Sequence, residues 1–223
     1  MKVKPETKPV ASSQDETRQH LLEAAGEVFA EAGFRNATVR EICRRAGANI
    51  AAVNYHFGDK EHLYVELLRY SYGKTLEKYP PLLGLAADAP PEKKLRAFIH
   101  SLLLRIFDTG PTSWHGRLMA REMIEPSAAL DSLVEDRLRP MSVQLSEIVA
   151  EILHRPVTDD CVRLCAFSVV SQCTFYKHCH PVMVRLYPGQ SEMDAANLEQ
   201  IADHINKFSL AALKSFVEKE KKR

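Results

Sequence analysis

The feature that most constrains the fold is a pair of short helix signals placed close together near the N-terminus. Thr38 and Glu41 form a capping box, in which side chains satisfy backbone N–H groups at a helix start, and Gly47 ends that helix. Asn49 can cap a second helix directly afterwards. Two helices of about two turns, joined by a glycine-containing turn of three or four residues, are typical of a helix-turn-helix motif. The helices are predicted over 39–45 and 50–55.

Longer helices are predicted to brace this pair, because isolated helices of two turns are marginal in water. A capping box that begins at Ser13 starts a first helix, whose apolar residues recur at helical spacing until Gly33. Asp59 caps a fourth helix, through about Tyr79. Residues 1–12 are mostly polar and contain prolines and lysines, so they predict a disordered tail.

The rest of the chain is also predicted to be helical. The segment from 180 to 190 contains Pro181, Pro188 and Gly189 and is predicted to be a loop. No segment shows the alternation of a strand and no repeat occurs, so we expect an all-α fold. The predicted helical stretches are 91–108, 113–124, 127–153 with an interruption at Pro140, 158–178 and 194–219.

Charge and composition limit the possible partners and locations. The chain has 30 basic and 29 acidic side chains, so any interaction with nucleic acid depends on a local patch. Residues 35–60 provide one, with five basic and two acidic side chains, and a dimer would double it. No apolar run approaches the roughly 20 residues of a membrane span, and the N-terminus lacks the apolar core of a signal peptide. Five cysteines disfavour a secreted disulfide framework, so we expect a cytoplasmic protein without a membrane partner.

The motifs around the two short helices resemble those of a known family. Residues 38–63 resemble the DNA-binding segment of TetR-family transcriptional regulators, and both the Gly-Phe-x-x-Ala-Thr stretch over 33–38 and the His-Phe-x-x-Lys-Glu stretch over 56–61 match that family. The family commonly has tyrosine where this chain has Asn54, a departure that bears on half-site preference. Residues 121–126, Arg-Glu-Met-Ile-Glu-Pro, resemble the C-terminal domain of the CecR-like (YbiH-like) branch. The resemblance implies an N-terminal three-helix helix-turn-helix DNA-binding domain over 13–60, a linking helix over 59–79 and a larger helical ligand-binding and dimerisation domain over 80–219.

The second short helix is predicted to contact DNA bases. Ile50, Ala51 and Asn54 should face the major groove, where an asparagine amide can make two hydrogen bonds to an adenine edge and apolar groups can touch a thymine methyl. The resemblance implies that neighbouring residues hold phosphates. For Arg44 a solvated helix end is an open alternative, and for His56 a capping or packing role. The predicted DNA-binding residues are Thr38, Arg40, Arg44, Asn49, Ile50, Ala51, Asn54, Tyr55, His56 and Lys60.

The last helix carries an apolar seam with spacings of three and four residues, which is typical of helix pairing. In TetR-family proteins the last two long helices pair with those of a second copy, so the resemblance implies a homodimer, and packing within one subunit is the open alternative. Two recognition helices would then enter major grooves about 34–36 Å apart, which implies a palindromic double-stranded DNA operator. The predicted dimer-interface residues are Leu198, Ile201, Ile205, Phe208 and Ala212.

The resemblance further implies a cavity for a small-molecule effector. Aromatic and methionine side chains suit an apolar or amphipathic ligand, and we expect Trp114 at the cavity mouth, although such stripes belong to an ordinary helix core more often than to a pocket. The implied function is a repressor that the effector releases from its operator by shifting the conformational population. The predicted ligand-binding residues are Phe98, Leu102, Trp114, Leu118, Arg121, Met123, Phe167 and Phe175.

Two alternative functions also arise from the sequence. The cysteines and histidines between Cys161 and His180 are candidates for sensing a metal or oxidation, although their spacing matches no standard zinc site. A small helical enzyme is the alternative from a different class, but the chain has no glycine-rich phosphate loop, nucleophile elbow or His-Glu-x-x-His motif. We therefore expect no catalytic residue, no bound metal and no cofactor.

Overall fold

The structure, a computed structural model, describes residues 13–108, 114–189 and 193–220, and these residues form helices without a strand. The all-α prediction is confirmed, whereas the predicted tail over 1–12 lies outside the described residues. None of the helices in these three segments is both long and apolar enough to cross a membrane. The helices are α1 (Ser13–Asn36), α2 (Val39–Ala46), α3 (Ile50–Phe57), α4 (Lys60–Lys78), α5 (Pro91–Ile106), α6 (Trp114–Ile124), α7 (Ala129–Leu133), a π-helical turn (Val134–Leu138), α8 (Arg139–Leu153), α9 (Asp160–His178), α10 (His180–Leu186) and α11 (Ala195–Glu220).

The two short helices form where the capping residues predict them. Thr38 Oγ1 accepts a hydrogen bond from the N–H of Glu41 at 3.2 Å, and Asn49 Oδ1 accepts one from the N–H of Ala52 at 2.9 Å. Gly47 between the helices has a φ of 63°, a left-handed conformation that glycine adopts without a steric penalty. Local sequence therefore sets the starts of α2 and α3 and the turn between them.

Two predictions about the C-terminal half are wrong. The segment from 180 to 190, predicted to be a loop, forms α10 over its first part. Pro181 lies in the first turn of this helix, where a missing N–H leaves no intrahelical hydrogen bond unmade. Pro140 occupies the same position in α8, and the π-helical turn joins α8 to α7, so the chain stays helical where an interruption was expected.

Two hydrophobic cores hold the helices together. The first is formed by the four helices α1, α2, α3 and α4. It is completed by Trp114 and Leu118 of α6 and by Ala129 and Leu133 of α7. The second joins α5, α8, α9 and α11. Because α6 and α7 pack on the N-terminal core, they connect the short helices mechanically to the rest of the chain.

Candidate nucleic-acid interface and effector cavity

One face of α3 is exposed although it carries large side chains. Ile50 is 52% and Tyr55 72% exposed, and Ala51 and Asn54 beside them are also exposed. On the opposite face Val53 is fully buried in the first core. The helix is thus anchored in the core on one side. On the other side it presents an amide, which can hydrogen-bond a base edge, and apolar groups, which can contact a thymine methyl.

The residues predicted to contact phosphates lie around this face, and they differ in whether they already have partners within the protein. Arg40 is exposed and has no ion-pair partner among the described residues, and His56 is half-buried. Arg44 is exposed but donates two hydrogen bonds to the carboxylate of Glu41, at 2.8 and 2.7 Å. Hydrogen bonds from Arg44 and then Arg45 lower the pKa of Glu41 to about 2. Arg40 is therefore a freer phosphate ligand than Arg44.

Lys60, a predicted DNA-binding residue at the start of α4, is already bonded within the protein. Its Nζ donates to the carbonyl of Ala37 at 3.0 Å and lies 3.5 Å from the carbonyl of Arg35. The same ammonium lies over the ring of Phe34, 4.6 Å from its centroid. Lys60 thus ties the start of α4 to the turn between α1 and α2, and two of its three donors are already used within the protein.

Arg121 does not share a cavity with the other predicted ligand residues; its guanidinium binds the end of α1. Its Nη2 and Nε donate to the carbonyls of Glu31 and Ala30 at 2.8 and 3.2 Å. In the same region Tyr64 of α4 donates to Glu122 of α6 at 2.6 Å, and burial followed by this carboxylate raises the pKa of the tyrosine. These bonds fasten α6 to the helices that support α3.

Three further predicted ligand residues belong to the cores. Trp114 is only 3% exposed and packs on α1, where a Cβ at Gly26 would lie 2.3 Å from its Cε2. Leu118 is fully buried beside it, and Phe98 is buried in the second core. Trp114 is therefore not at a cavity mouth, because its ring fills the space above a glycine.

A cavity of about 270 Å³ lies between α4, α5, α6 and α9. Of the predicted ligand residues, Leu102 and Met123 line it. Phe167 and Phe175 do not line it, and each is 53% exposed on the surface. Sequence reasoning missed most of the wall, which is lined by Tyr72, Thr75, Leu102, Arg105, Ile106, His115, Gly116, Met119, Ala120, Met123, Leu138, Val170, Thr174, Lys177 and His178.

Two ionisable groups of this cavity, Arg105 and His115, are buried. His115 Nδ1 lies 2.9 Å from Ser71 Oγ of α4, and burial, followed by the charge of Arg105, lowers the pKa of this histidine to about 4. Burial also lowers the pKa of Lys177. The signal that could have revealed Arg105 is its position in an apolar run, Leu-Leu-Leu-Arg-Ile, where a charge has no ordinary structural use.

The predicted dimer seam divides into two parts. Leu198 and Ile205 are 4% and 1% exposed and pack inside the second core, so they are not free to contact another copy. Ile201 is half-buried in the same core. Phe208 is 62% exposed, and Ala212 is exposed one turn later.

The exposed part of α11 continues onto α9. Leu164 and Phe167 of α9 are 56% and 53% exposed, and Phe216 of α11 is 38% exposed. An open groove of about 450 Å³ runs between the two helices, bordered by Leu164, Phe208 and Phe216. Large exposed apolar surfaces of this kind mark protein interaction sites.

The cysteine cluster has the character of packed thiols. Burial raises the pKa of Cys173 to about 12, and burial followed by the neighbouring Cys161 raises that of Cys165 to about 11. Thiols with raised pKa values are poor nucleophiles and poor metal ligands. Among the described residues no three His, Cys, Asp or Glu side chains are arranged to hold a metal. The metal- or thiol-sensing alternative is therefore not favoured.

Comparison with known proteins places these features in a family. Residues 91–213 match the family described as "HTH-type transcriptional dual regulator CecR, C-terminal domain", and residues 21–67 match "Bacterial regulatory proteins, tetR family". The CecR regulator of Shigella flexneri is 31% identical over 61% of this chain, a match that spans 64% of the relative's own length. The repressor AcnR of Corynebacterium diphtheriae is 38% identical over 66% of this chain and 78% of its own.

A further relative and two solved structures are also transcriptional regulators. The repressor NicS of Pseudomonas putida is 29% identical over 74% of this chain and 78% of its own. A transcriptional regulator from Rhodococcus sp. Rha1 has the same fold, with a TM-score of 0.65 and 24% identity over 87% of this chain and 96% of its own. The regulator PfmR of Thermus thermophilus gives a TM-score of 0.61 with 20% identity over 90% and 97% of the two chains.

Proposed function

Because the chain belongs to the TetR family of transcriptional regulators, with a C-terminal domain of the CecR type, we propose that it represses transcription from a palindromic operator until a small molecule releases it. Its family consists of regulators rather than enzymes, so the enzymatic alternative is not favoured. We place this activity in the cytoplasm, where the operator DNA is.

The exposed face of α3 carries the proposal. Ile50 and Tyr55 are large and exposed, and Asn54 lies between them on a helix whose other side is fixed in the core. Exposed side chains contribute little to the stability of the fold, but a helix in a major groove uses such a face for direct contact with base edges. Arg40 on α2 supplies a sequence-independent contact to the phosphates.

A homodimer completes the proposed interface. Two copies that pair through Phe208, Phe216 and Leu164 would bury the exposed faces of α9 and α11 against each other. Pairing also places two copies of α3 on one duplex, which doubles the number of phosphate contacts that one copy makes. Leu198 and Ile205 support this face from within the subunit instead of forming it.

The effector would act through α4 and α6, which line the cavity and also support α3. Tyr72 and Thr75 of α4 face the cavity, while the start of α4 is tied to the α1–α2 turn by Lys60. His115 and Met123 of α6 also line it, and Arg121 of the same helix holds the end of α1. A ligand that moves α6 against α4 would change the spacing of the recognition helices, and operator affinity would fall by the ligand's preference for that state.

Selection of duplexes from random DNA, followed by binding isotherms at two salt concentrations, tests the DNA-binding part. We expect Asn54→Ala to lose about 1–3 kcal/mol of discrimination between the selected operator and a scrambled duplex. Arg40→Ala should weaken binding to both duplexes alike and flatten the salt dependence. Lys93→Ala, which removes an exposed cation from α5, is the control and should change neither quantity. Equal losses on both duplexes for Asn54→Ala would contradict the assignment.

A further inference from the structure

One guanidinium in the cavity wall lacks a full set of partners. Arg105 is 5% exposed, and its Nε donates to the carbonyl of Ser101 at 3.2 Å. Its Nη1 approaches the sulfur of Met141 at 3.8 Å, a weak acceptor. Its Nη2 is buried and has no hydrogen-bond partner among the described residues. An unsatisfied donor on a buried charge is costly, and such a group in a natural protein calls for an explanation.

The cavity around Arg105 contains no compensating negative charge. Besides Arg105 its charged lining residue is a second cation, Lys177, and no carboxylate occurs among the described residues that line it. The nearby acids have other partners, since Glu122 accepts from Tyr64 and Asp108 pairs with Lys78. Arginine stays protonated even when burial lowers its pKa, as it does here. The cavity is therefore a positively charged space.

The remaining wall is apolar. Side chains from four helices enclose the charged groups, and the volume of about 270 Å³ lies near the lower end of the range of about 300–1,000 Å³ typical of ligand pockets. The apolar lining residues are Leu102, Ile106, Met119, Ala120, Met123, Leu138 and Val170. A ligand that fits must be small, mostly apolar and able to accept hydrogen bonds from a cation.

We propose that the effector is a small organic carboxylate, whose carboxylate accepts hydrogen bonds from the free Nη2 of Arg105 while its apolar body fills the rest of the cavity. Lys177 adds a second positive charge from α9. Arg105 also interacts with the hydroxyl of Tyr72 on α4, so anion binding would act directly on the helix that supports the recognition helix. The effect on DNA rests on the proposed function, whereas the binding preference does not.

Calorimetric titration of the full chain with carboxylates and their uncharged amides tests the proposal. The probes are benzoate, 4-phenylbutanoate and octanoate, each paired with its primary amide. We expect at least one acid to bind roughly tenfold to a hundredfold more tightly than its amide, because a hydrogen bond between two charged groups is stronger than one to a neutral carbonyl and the amide brings no negative charge to the cation. Arg105→Met should bind acid and amide equally, and Lys93→Met on the same helix should keep the preference.

Several results would overturn the proposal. It is wrong if no acid binds more tightly than its amide, or if Arg105→Met keeps the full preference. Arg105→Met should fold with an equal or higher melting temperature, because replacing a buried and incompletely paired charge with an apolar side chain of similar length is often neutral or stabilising. Arg105→Lys, which keeps the charge and loses the planar fork, provides a second variant and should weaken acid binding several-fold. Operator binding by the ligand-free protein is measured separately, so a failure of the DNA-binding proposal is distinguishable from a failure of this one.

Discussion

Acidification should destabilise the protein through His115. This histidine is buried between α4 and α6, with its Nδ1 2.9 Å from Ser71 Oγ, and its pKa is lowered to about 4 from an ordinary 6.5 by burial and then by Arg105. Between pH 6.5 and 4 this histidine is therefore protonated in the unfolded chain but neutral in the folded protein. The contribution to stability is complete above pH 6.5 and is lost as the pH falls towards 4. The shift corresponds to about 3 kcal/mol.

Urea unfolding at a fixed protein concentration, over a series of pH values from above 6.5 down to 4, measures this loss. His115→Asn, which keeps a polar group near Ser71 and cannot be protonated, should show a pH dependence that is smaller by about 3 kcal/mol over the window. His20→Asn removes an exposed histidine of α1 and is the control. If the wild type and His115→Asn lose stability in parallel as the pH falls, the reasoning about this buried histidine is refuted.

Three other variants test contacts that the structure adds to the sequence. Tyr64→Phe should lower the free energy of unfolding by about 1.5–3 kcal/mol, because it deletes a buried hydrogen bond to a carboxylate; Tyr55→Phe, at an exposed tyrosine, should not, and equal effects would contradict the assignment. Gly26→Ala should destabilise by about 1–3 kcal/mol, because the new Cβ overlaps a buried indole ring. Gly73→Ala, where nothing lies within 4 Å, should instead stabilise α4 by up to about 1 kcal/mol in the same unfolding assay, and the opposite order would refute this. Phe208→Glu should shift the protein from dimer to monomer in sedimentation experiments, and an unchanged dimer would place the interface elsewhere.

The parts of the fold that local sequence controls could be predicted. Thr38 and Asn49 cap their helices through side chains only three residues from the N–H groups they bind, so the start of each helix needed no tertiary information. Where the sequence prediction failed, a distant contact or a position within a turn decided the outcome. Pro181 signals a loop in isolation, but in the first turn of a helix it is tolerated.

The effector cavity was the least predictable part. Trp114 was predicted at the cavity mouth, but a glycine on another helix leaves space for its ring, and nothing near it in sequence indicates that pairing. The bonds of Lys60 were equally hidden, because only the folded turn between α1 and α2 brings a carbonyl within its reach. Arg105 carried the one usable signal, a charge inside an apolar run, which sequence analysis passed over.

The spacing of the operator half-sites tests the central claim, that a rigid pair of recognition helices binds successive major grooves. The measurement compares the affinity of the protein for its selected operator with that for a duplex in which half a helical turn, about 5 bp, is inserted between the half-sites. We predict that the affinity for the duplex with the inserted half turn falls to the level of scrambled DNA. A control duplex, in which the central sequence is changed but no base pairs are inserted, should keep most of the affinity. An affinity that is unaffected by the half turn would contradict the account.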